Sequence, residues 1–375
     1  MLKEIKAQLK SLLIPISLCC IAIFFAGNAS AEDGVTQSGI IIGQSCVLKG
    51  PAQALGQDMR DGALAYFKHI NAEGGIKGKI IKLITLDDGY EPKACVSNTK
   101  QLIEKDRVFL LFGYVGTPTS LRNPLTPGIF NIRASYYQET EAMVKILLMN
   151  NLKRISVFYQ NDSYGEAGLK GVKIALQKRD MKITSKASYE RNTLDVENAV
   201  SEIAISNPDA VIMIGTYKPC AMFIQLTRDG TRSRPIFLNV SFVGSDALAA
   251  TLSNKGLGVV ITQVVPYTFD KRLPVVAQYH QMAQKYMTDS KISFTGMEGF
   301  IAAKALCRIL QKMNNFTRAE FIRTADSMHE YLGGFKVHFT PKNHQGSDLV
   351  HLTQIGPGGF ISNIDNLNQL YKYWD

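Results

Sequence analysis

Short apolar runs alternate with amphipathic stretches almost from Gly39 to the C-terminus, and this alternation constrains the fold more than anything else in the chain. "IIIGQ" (Ile40 to Gln44) is a brief apolar run ending near Gly50-Pro51, the pattern of a strand buried on both faces. Leu55, Met59, Ala63, Tyr66, Phe67 and Ile70 then recur at spacings of three and four, one apolar face of a helix that Gly74-Gly75 stops. "KIIKLITLDD" is a second strand and "EPKACVSNTKQLIEKD" a second helix, with Pro92 in the first turn, where a missing N–H costs nothing. "VFLLFG" is a third strand. Repeated βα units of this length build parallel sheets covered by helices on both faces.

From Tyr136 the pattern restarts. A helix through Met143, Ile146 and Leu147 leads to "RISVFYQ", a Gly-rich helix from Gly165 to about Lys178, and a strand near 182–189. Asp195 is placed to cap a helix containing Val196, Val200 and Ile203; "DAVIMIG", a helix from about Pro219, and "PIFLNV" complete the series. A third stretch holds the strand "GVVITQVV", helices near 273–288 and 297–313, and short strands in "GGFKVHF", "LVHLTQI" and the tail. The chain is long for one core, so two lobes are expected. Extended crossings near 131–134, 265–269 and 333–339 divide it into a first lobe (32–130 and 265–335) and a second (131–264 and 336–375).

Residues 1–31 have the character of an export leader. Lys3, Lys6 and Lys10 precede an apolar run from Leu12 to Phe25, and Ala29-Ser30-Ala31 supplies the small residues of a signal-peptidase site, with cleavage after Ala31. The competing interpretation is an uncleaved membrane anchor, for which the run is short. Cleavage lowers the formal charge from +10 by two, since three lysines and Glu4 are removed. The remaining basic residues are scattered, with no run of five and no nucleic-acid module, which suits a solvated basic surface. Cys46, Cys95, Cys220 and Cys307 survive cleavage and match no zinc spacing.

Enzyme motifs are absent from the sequence. There is no GxSxG, HExxH or GxGxxG, and "GGIKGK" lacks the spacing and the Ser or Thr of a phosphate loop. The histidines are dispersed, so neither a metal nor another cofactor is expected. Asp87 and Asp88 are adjacent in a strand, pointing to opposite faces, and make a poor acid–base couple. What stands out is chemistry for holding a polar solute. In open α/β sheets a ligand sits beyond the carboxyl ends of the strands. Those ends carry "SCVLKGP", "DDGYEP", "GYVGTPTS", "YQNDSYGE", "GTYKP" and "NVSFVGS". Hydroxyls and helix N-termini suit a carboxylate, and tyrosine rings can sandwich an apolar or cationic tail.

The stretch from "SGIIIGQSCVLKGPAQ" through "NAEGGIKGKIIKLITLDDGYEPKACVSNTKQLI", together with "FNIRASYYQET", "NDSYGEAGLKGV" and "FLNVSFVGSDAL", resembles type I periplasmic binding proteins of the Leu/Ile/Val-binding family. The resemblance covers nearly all of the chain after the leader. It implies an α/β fold of two doubly wound parallel-sheet lobes joined by three crossings, closing on a solute. It also implies a substrate-binding role, without catalysis, beside the inner-membrane permease of an ABC importer. A ligand-sensing partner of a membrane receptor and a degenerate, non-binding relative remain open. By the same resemblance the carboxylate-binding hydroxyl falls on Thr117, with Thr119 and Ser120 beside it, and the cleft tyrosines on Tyr164 and Tyr217. Their places at successive strand ends predict that the two face each other across the cleft, each ring partly exposed in the open form. The acid that grips a ligand's amine aligns near Ser241, where "LNVSFVG" has none, so amides and organic acids join amino acids as candidate solutes. Cys46 and Cys95 follow neighbouring strands of this fold, and either pair as a disulfide or stay buried thiols.

One departure is large. This chain runs from "GTPTS" straight to "LRNPLTPGIFNIRAS". A parallel crossover needs roughly a dozen or more residues, and by comparison with the family roughly two dozen are absent. The first lobe is therefore expected to lack one helix and one strand. "VFLLF" would be left with an open edge unless "GIFNI" or "GVVITQVV" closes it.

Overall fold

The computed structural model describes residues 32–117, 128–287 and 292–371, so the leader, Thr119 and Ser120 lie outside the described residues. Strands β1 (Gly39–Cys46), β2 (Ile80–Asp87) and β3 (Leu110–Leu111) form a parallel sheet in the order β2-β1-β3. Helix α1 (Gln53–Ala72) covers one face and α2 (Pro92–Glu104) the other. Alternation along β1 assigns the faces. Ile40 and Ile42 pack with Ala63 and Phe67 of α1, whereas a side chain at Gly43 would meet Leu102 of α2 at 3.1 Å.

That alternation decides the cysteine question. Ser45 faces α2, where Asn98 Nδ2 donates to its hydroxyl (3.2 Å). Its neighbour Cys46 points the other way, towards the Gly56 carbonyl of α1 (3.7 Å). Cys95 belongs to α2, on the opposite side of the sheet from the Cys46 thiol. The disulfide is not formed: Cys46, Cys95, Cys220 and Cys307 are all buried free thiols.

The second lobe contains α3 (Tyr136–Met149), β4 (Ile155–Gln160), α4 (Ser163–Gln177), β5 (Lys186–Tyr189), α5 (Glu197–Ile205), β6 (Ala210–Ile214), α6 (Tyr217–Gly230), β7 (Ile236–Asn239), α7 (Ser245–Leu252) and β8 (Val260–Gln263). Its seven-stranded sheet has the order β12-β11-β8-β7-β6-β4-β5, where β11 (His351–Ile355) and β12 (Ile361–Ile364) run antiparallel at one end. Ser135 and Gln138 start α3 with a reciprocal capping box. Asp195 does not cap α5, which begins at Glu197 with Val196 in the cap position.

Between β8 and β11 the chain forms α8 (Pro274–Tyr286), α9 (Phe294–Lys312), α10 (Arg318–Asp326) and a hairpin of β9 (His329–Tyr331) with β10 (Lys336–His338). The hairpin pairs with itself and spans the expected boundary at residue 335. Helix α9 lies against α1 with the backbones nearly touching. A Cβ on Gly62 would overlap the Gly296 carbonyl, and one on Gly299 would overlap the Met59 carbonyl. Glycine is required there by proximity, and it fuses the returning segment to the first lobe.

Among the described residues the first sheet has three strands, and neither route for closing its edge is taken. "GVVITQVV" supplies β8, paired with β7 and β11 in the other sheet. "GIFNI" bonds to the segment 344–346, with Asn131 N donating to the His344 carbonyl (2.8 Å) and Gly346 N to the Asn131 carbonyl (2.7 Å). Instead Arg318, at the start of α10, reaches the β3 edge, donating from Nε to the Phe109 carbonyl (3.0 Å) and from Nη2 to the Val108 carbonyl (3.1 Å). A cationic side chain thus satisfies two backbone acceptors at the entry to β3.

The α1–α9 crossing yields a prediction with an unusual sign. Intrinsic propensity favours alanine over glycine inside a helix by about 1 kcal/mol. Overpacking two backbones outweighs this, so Gly62→Ala should destabilise the protein by about 2 kcal/mol or more in urea denaturation. A stabilised variant would contradict the close approach.

Candidate functional site

The strand tips of the two lobes meet, and the loop after β2 carries much of the contact. Asp87 and Asp88 hold it from opposite sides. Asp87 Oδ1 accepts from the amides of Leu48 (2.8 Å) and Gly89 (3.0 Å). Asp88 accepts from the Ser45 hydroxyl (2.8 Å) and the Tyr90 amide (2.9 Å). Burial raises the Asp88 pKa, partly offset by these bonds. Tyr90 is held at φ +65°, in the left-handed region, and is only 1 % exposed. Its ring lies 6.3 Å from that of Phe242, across the cleft, and Gln160 Nε2 donates to its hydroxyl (3.4 Å). Beside it Glu91 accepts from Arg191 (2.9 Å) and Asn192 (2.7 Å) of the second lobe.

Two tyrosines expected to line an exposed cleft are buried instead. Tyr164, at the start of α4, is sealed: its ring packs against Tyr136 (5.3 Å) and Phe242 (4.9 Å), and its hydroxyl donates to the Gly215 carbonyl (3.3 Å). Tyr217 begins α6 and is 5 % exposed, with the Ala54 backbone of α1 at its hydroxyl. The two do not face each other across open space. For Tyr164 the reason is packing across the cleft: Leu55, Met59, Tyr90 and Val115 of the first lobe share one apolar cluster with Tyr136, Tyr164 and Phe242 of the second.

Ser241 follows β7 and enters an ionic node that sequence reasoning missed. Arg133, in the first crossing, is 7 % exposed and pairs with Glu139 of α3 (2.8 Å) and Glu298 of α9 (3.4 Å). It also donates to the Ser241 hydroxyl and lies over the Tyr136 ring. Burial opposes the Arg133 charge, but Glu298 and Glu139 outweigh it and its pKa rises. Glu139 Oε2 accepts from the Ser241 amide (2.7 Å) and the Thr262 hydroxyl (2.6 Å). Ser241, near which the resemblance aligns the family's ligand-gripping acid, thus has an arginine and a glutamate as its own partners. Two signals were available. Arg133 directly follows the apolar run "GIFNI", and Glu139 falls four residues before Met143 on the apolar face of its helix.

Thr117 lies at the tip following β3, half-buried, and its Oγ1 is buried without a hydrogen-bond partner. Asn239, at the end of β7, is fully buried, and neither side-chain polar atom finds a partner. Such groups are costly unless an acceptor or donor is supplied from outside. Among the described residues no group of three or more His, Cys, Asp or Glu side chains could hold a metal ion.

The sequence profile of the periplasmic binding protein family matches residues 39–124 and 119–359, two segments that meet where the crossover is missing. The chain belongs to this family, in its type I, Leu/Ile/Val-binding branch. A possible leucine/isoleucine/valine-binding protein from Rhodopirellula baltica is 33 % identical and superposes with a TM-score of 0.84 over 92 % of this chain and all of its own. An amino acid binding protein from Pseudomonas aeruginosa is 24 % identical over 237 residues, 56 % of this chain and 63 % of that relative, which is under two thirds of its length. A Leu/Ile/Val-binding protein homolog from Brucella suis is 21 % identical over 80 % of this chain and 82 % of its own length.

The burial of Tyr164 makes it a core residue with one satisfied hydroxyl. Tyr164→Phe should cost about 1 kcal/mol of stability and leave the Kd of any bound solute unchanged within about twofold. A large loss of affinity with unchanged stability, measured by calorimetry and denaturation, would return Tyr164 to the solute.

Proposed function

We propose that the chain is an exported, periplasmic solute-binding protein that hands a small carboxylate- or amide-bearing solute to the permease subunits of an ABC importer. The observation that carries this reading is the Thr117 hydroxyl, buried at the tip following β3 with no partner. A hydroxyl there suits a carboxylate, and the relatives named for amino acids or for leucine, isoleucine and valine support the amino-acid class. The basic and apolar leader ending at Ala31 supports export. Plain branched-chain amino acids are poor candidates, because Ser241 offers no free acid for their ammonium group. A second reading, a relative that has lost binding, draws on the cleft being filled by Tyr90, Phe242 and Leu55 of the chain itself.

A thermal-shift screen against amino acids, amides and small organic acids separates the two. A solute that binds only the folded protein, at about 100 times its Kd, adds roughly 2.7 kcal/mol to stability. The transport reading predicts such a shift for at least one panel member, reduced in Thr117→Val, and little or none for leucine. No shift from any compound would favour the non-binding relative.

A further inference from the structure

Two carboxylates from opposite lobes converge on one helix N-terminus. Asp58 projects from α1 of the first lobe, and the Ser293 hydroxyl donates to it. Asp246 projects from the first turn of α7 in the second lobe, and the next amide along, Phe294 N, donates to its Oδ2 (3.0 Å). Ser293 is the N-cap of α9, and its hydroxyl accepts from Gly296 N (3.0 Å). Because α9 is fused to α1 through the glycine crossing, the bond from Phe294 to Asp246 joins one lobe to the other. We propose that Asp58 and Asp246 form a proton-operated clasp, which lets the lobes close without solute when the pair holds a proton and opens them when both are ionised.

The charges around the pair favour this behaviour. Asp61 of α1 adds a third negative charge beside Asp58, although it is itself paired with Arg60 (2.7 Å). Tyr217 of α6 and Tyr279 of α8 face the pair as neutral phenols, and each feels Asp58 as a repulsive neighbour. Against this stand the hydrogen bonds from Ser293 and Phe294 at the helix N-terminus; the groups acting on the two carboxyls include no cation. Burial raises each carboxyl to about 6 from an ordinary 3.8, and the Asp58 charge adds to the rise at Asp246 as Asp61 does at Asp58. The sign follows from linkage. A carboxyl whose pKa is higher in the closed form favours closure in full below about 3.8 and loses that contribution as pH rises through about 6. Both residues keep partial solvent access, so protons can exchange with the medium.

This clasp needs no solute and stands whether or not the cleft binds one. The test is small-angle X-ray scattering of the solute-free protein across pH 4 to 8. The wild-type radius of gyration should grow as pH rises through about 6, and closure should take up between one and two protons. The isosteric double variant Asp58→Asn/Asp246→Asn should stay compact throughout, with an unchanged far-UV circular dichroism spectrum. Asp246→Asn alone should flatten the transition to one proton or fewer. A radius that ignores pH overturns the clasp. So does a double or single variant that expands as steeply as wild type, which would assign the transition to other cleft carboxyls such as Asp88 or Asp162.

Discussion

The Arg133 guanidinium sits where the chain first leaves one lobe for the other, 7 % exposed, with Glu139 at 2.8 Å and Glu298 at 3.4 Å. An ion taken this far from water is tolerated only where opposite charge and directed hydrogen bonds replace its hydration. Here they come from α3, from the tip of β7 through Ser241, from α9 and, through Glu139, from Thr262 of β8. The node therefore ties a crossing, the floor of the second lobe and the helix fused to the first. Cleft geometry and hinge geometry are one electrostatic problem in this molecule.

The missing crossover acts on the same region from the other side. A three-stranded sheet ends at β3, where Arg318 caps two carbonyls and Leu111 is left 38 % exposed. The loop that contains Thr117 thus leaves an edge strand, with no fourth strand beside it among the described residues. Contact between the lobes falls more heavily on the loop after β2. Its Tyr90 takes a strained left-handed backbone, costing on the order of 1–3 kcal/mol, and buries its ring against the second lobe. That strain persists because Asp87, Asp88 and the Glu91 contacts fix the loop on both sides.

Much of the architecture was legible because it rests on local periodicity. The spacing of Leu55, Met59, Ala63 and Phe67 gave α1, and apolar runs gave most strands within a few residues. Helices 245–252 and 318–326 escaped notice because each is only two to three turns long, too short for periodicity to stand out. The site was less legible, for a physical reason. Thr117 and Ser241 were named by alignment, but their partners come from distant segments: Ser241 meets Arg133 and Glu139, over a hundred residues earlier. Tyr164 and Tyr217 occupy strand tips as expected, yet burial depends on what packs against them, and Phe242 and α1 do so here. The Cys46–Cys95 pairing failed on strand alternation, since Ser45 rather than Cys46 shares a face with α2.

If hinge and cleft form one electrostatic unit, Arg133 and Glu139 must be strongly coupled. A double-mutant cycle in urea with Arg133→Met and Glu139→Gln measures that coupling directly. Each single change should cost about 3–5 kcal/mol, because each leaves a buried charge without its counter-charge, and the double variant should recover a large part of the summed loss. Additive losses, with coupling below about 0.5 kcal/mol, would contradict the node's place at the centre of the structure.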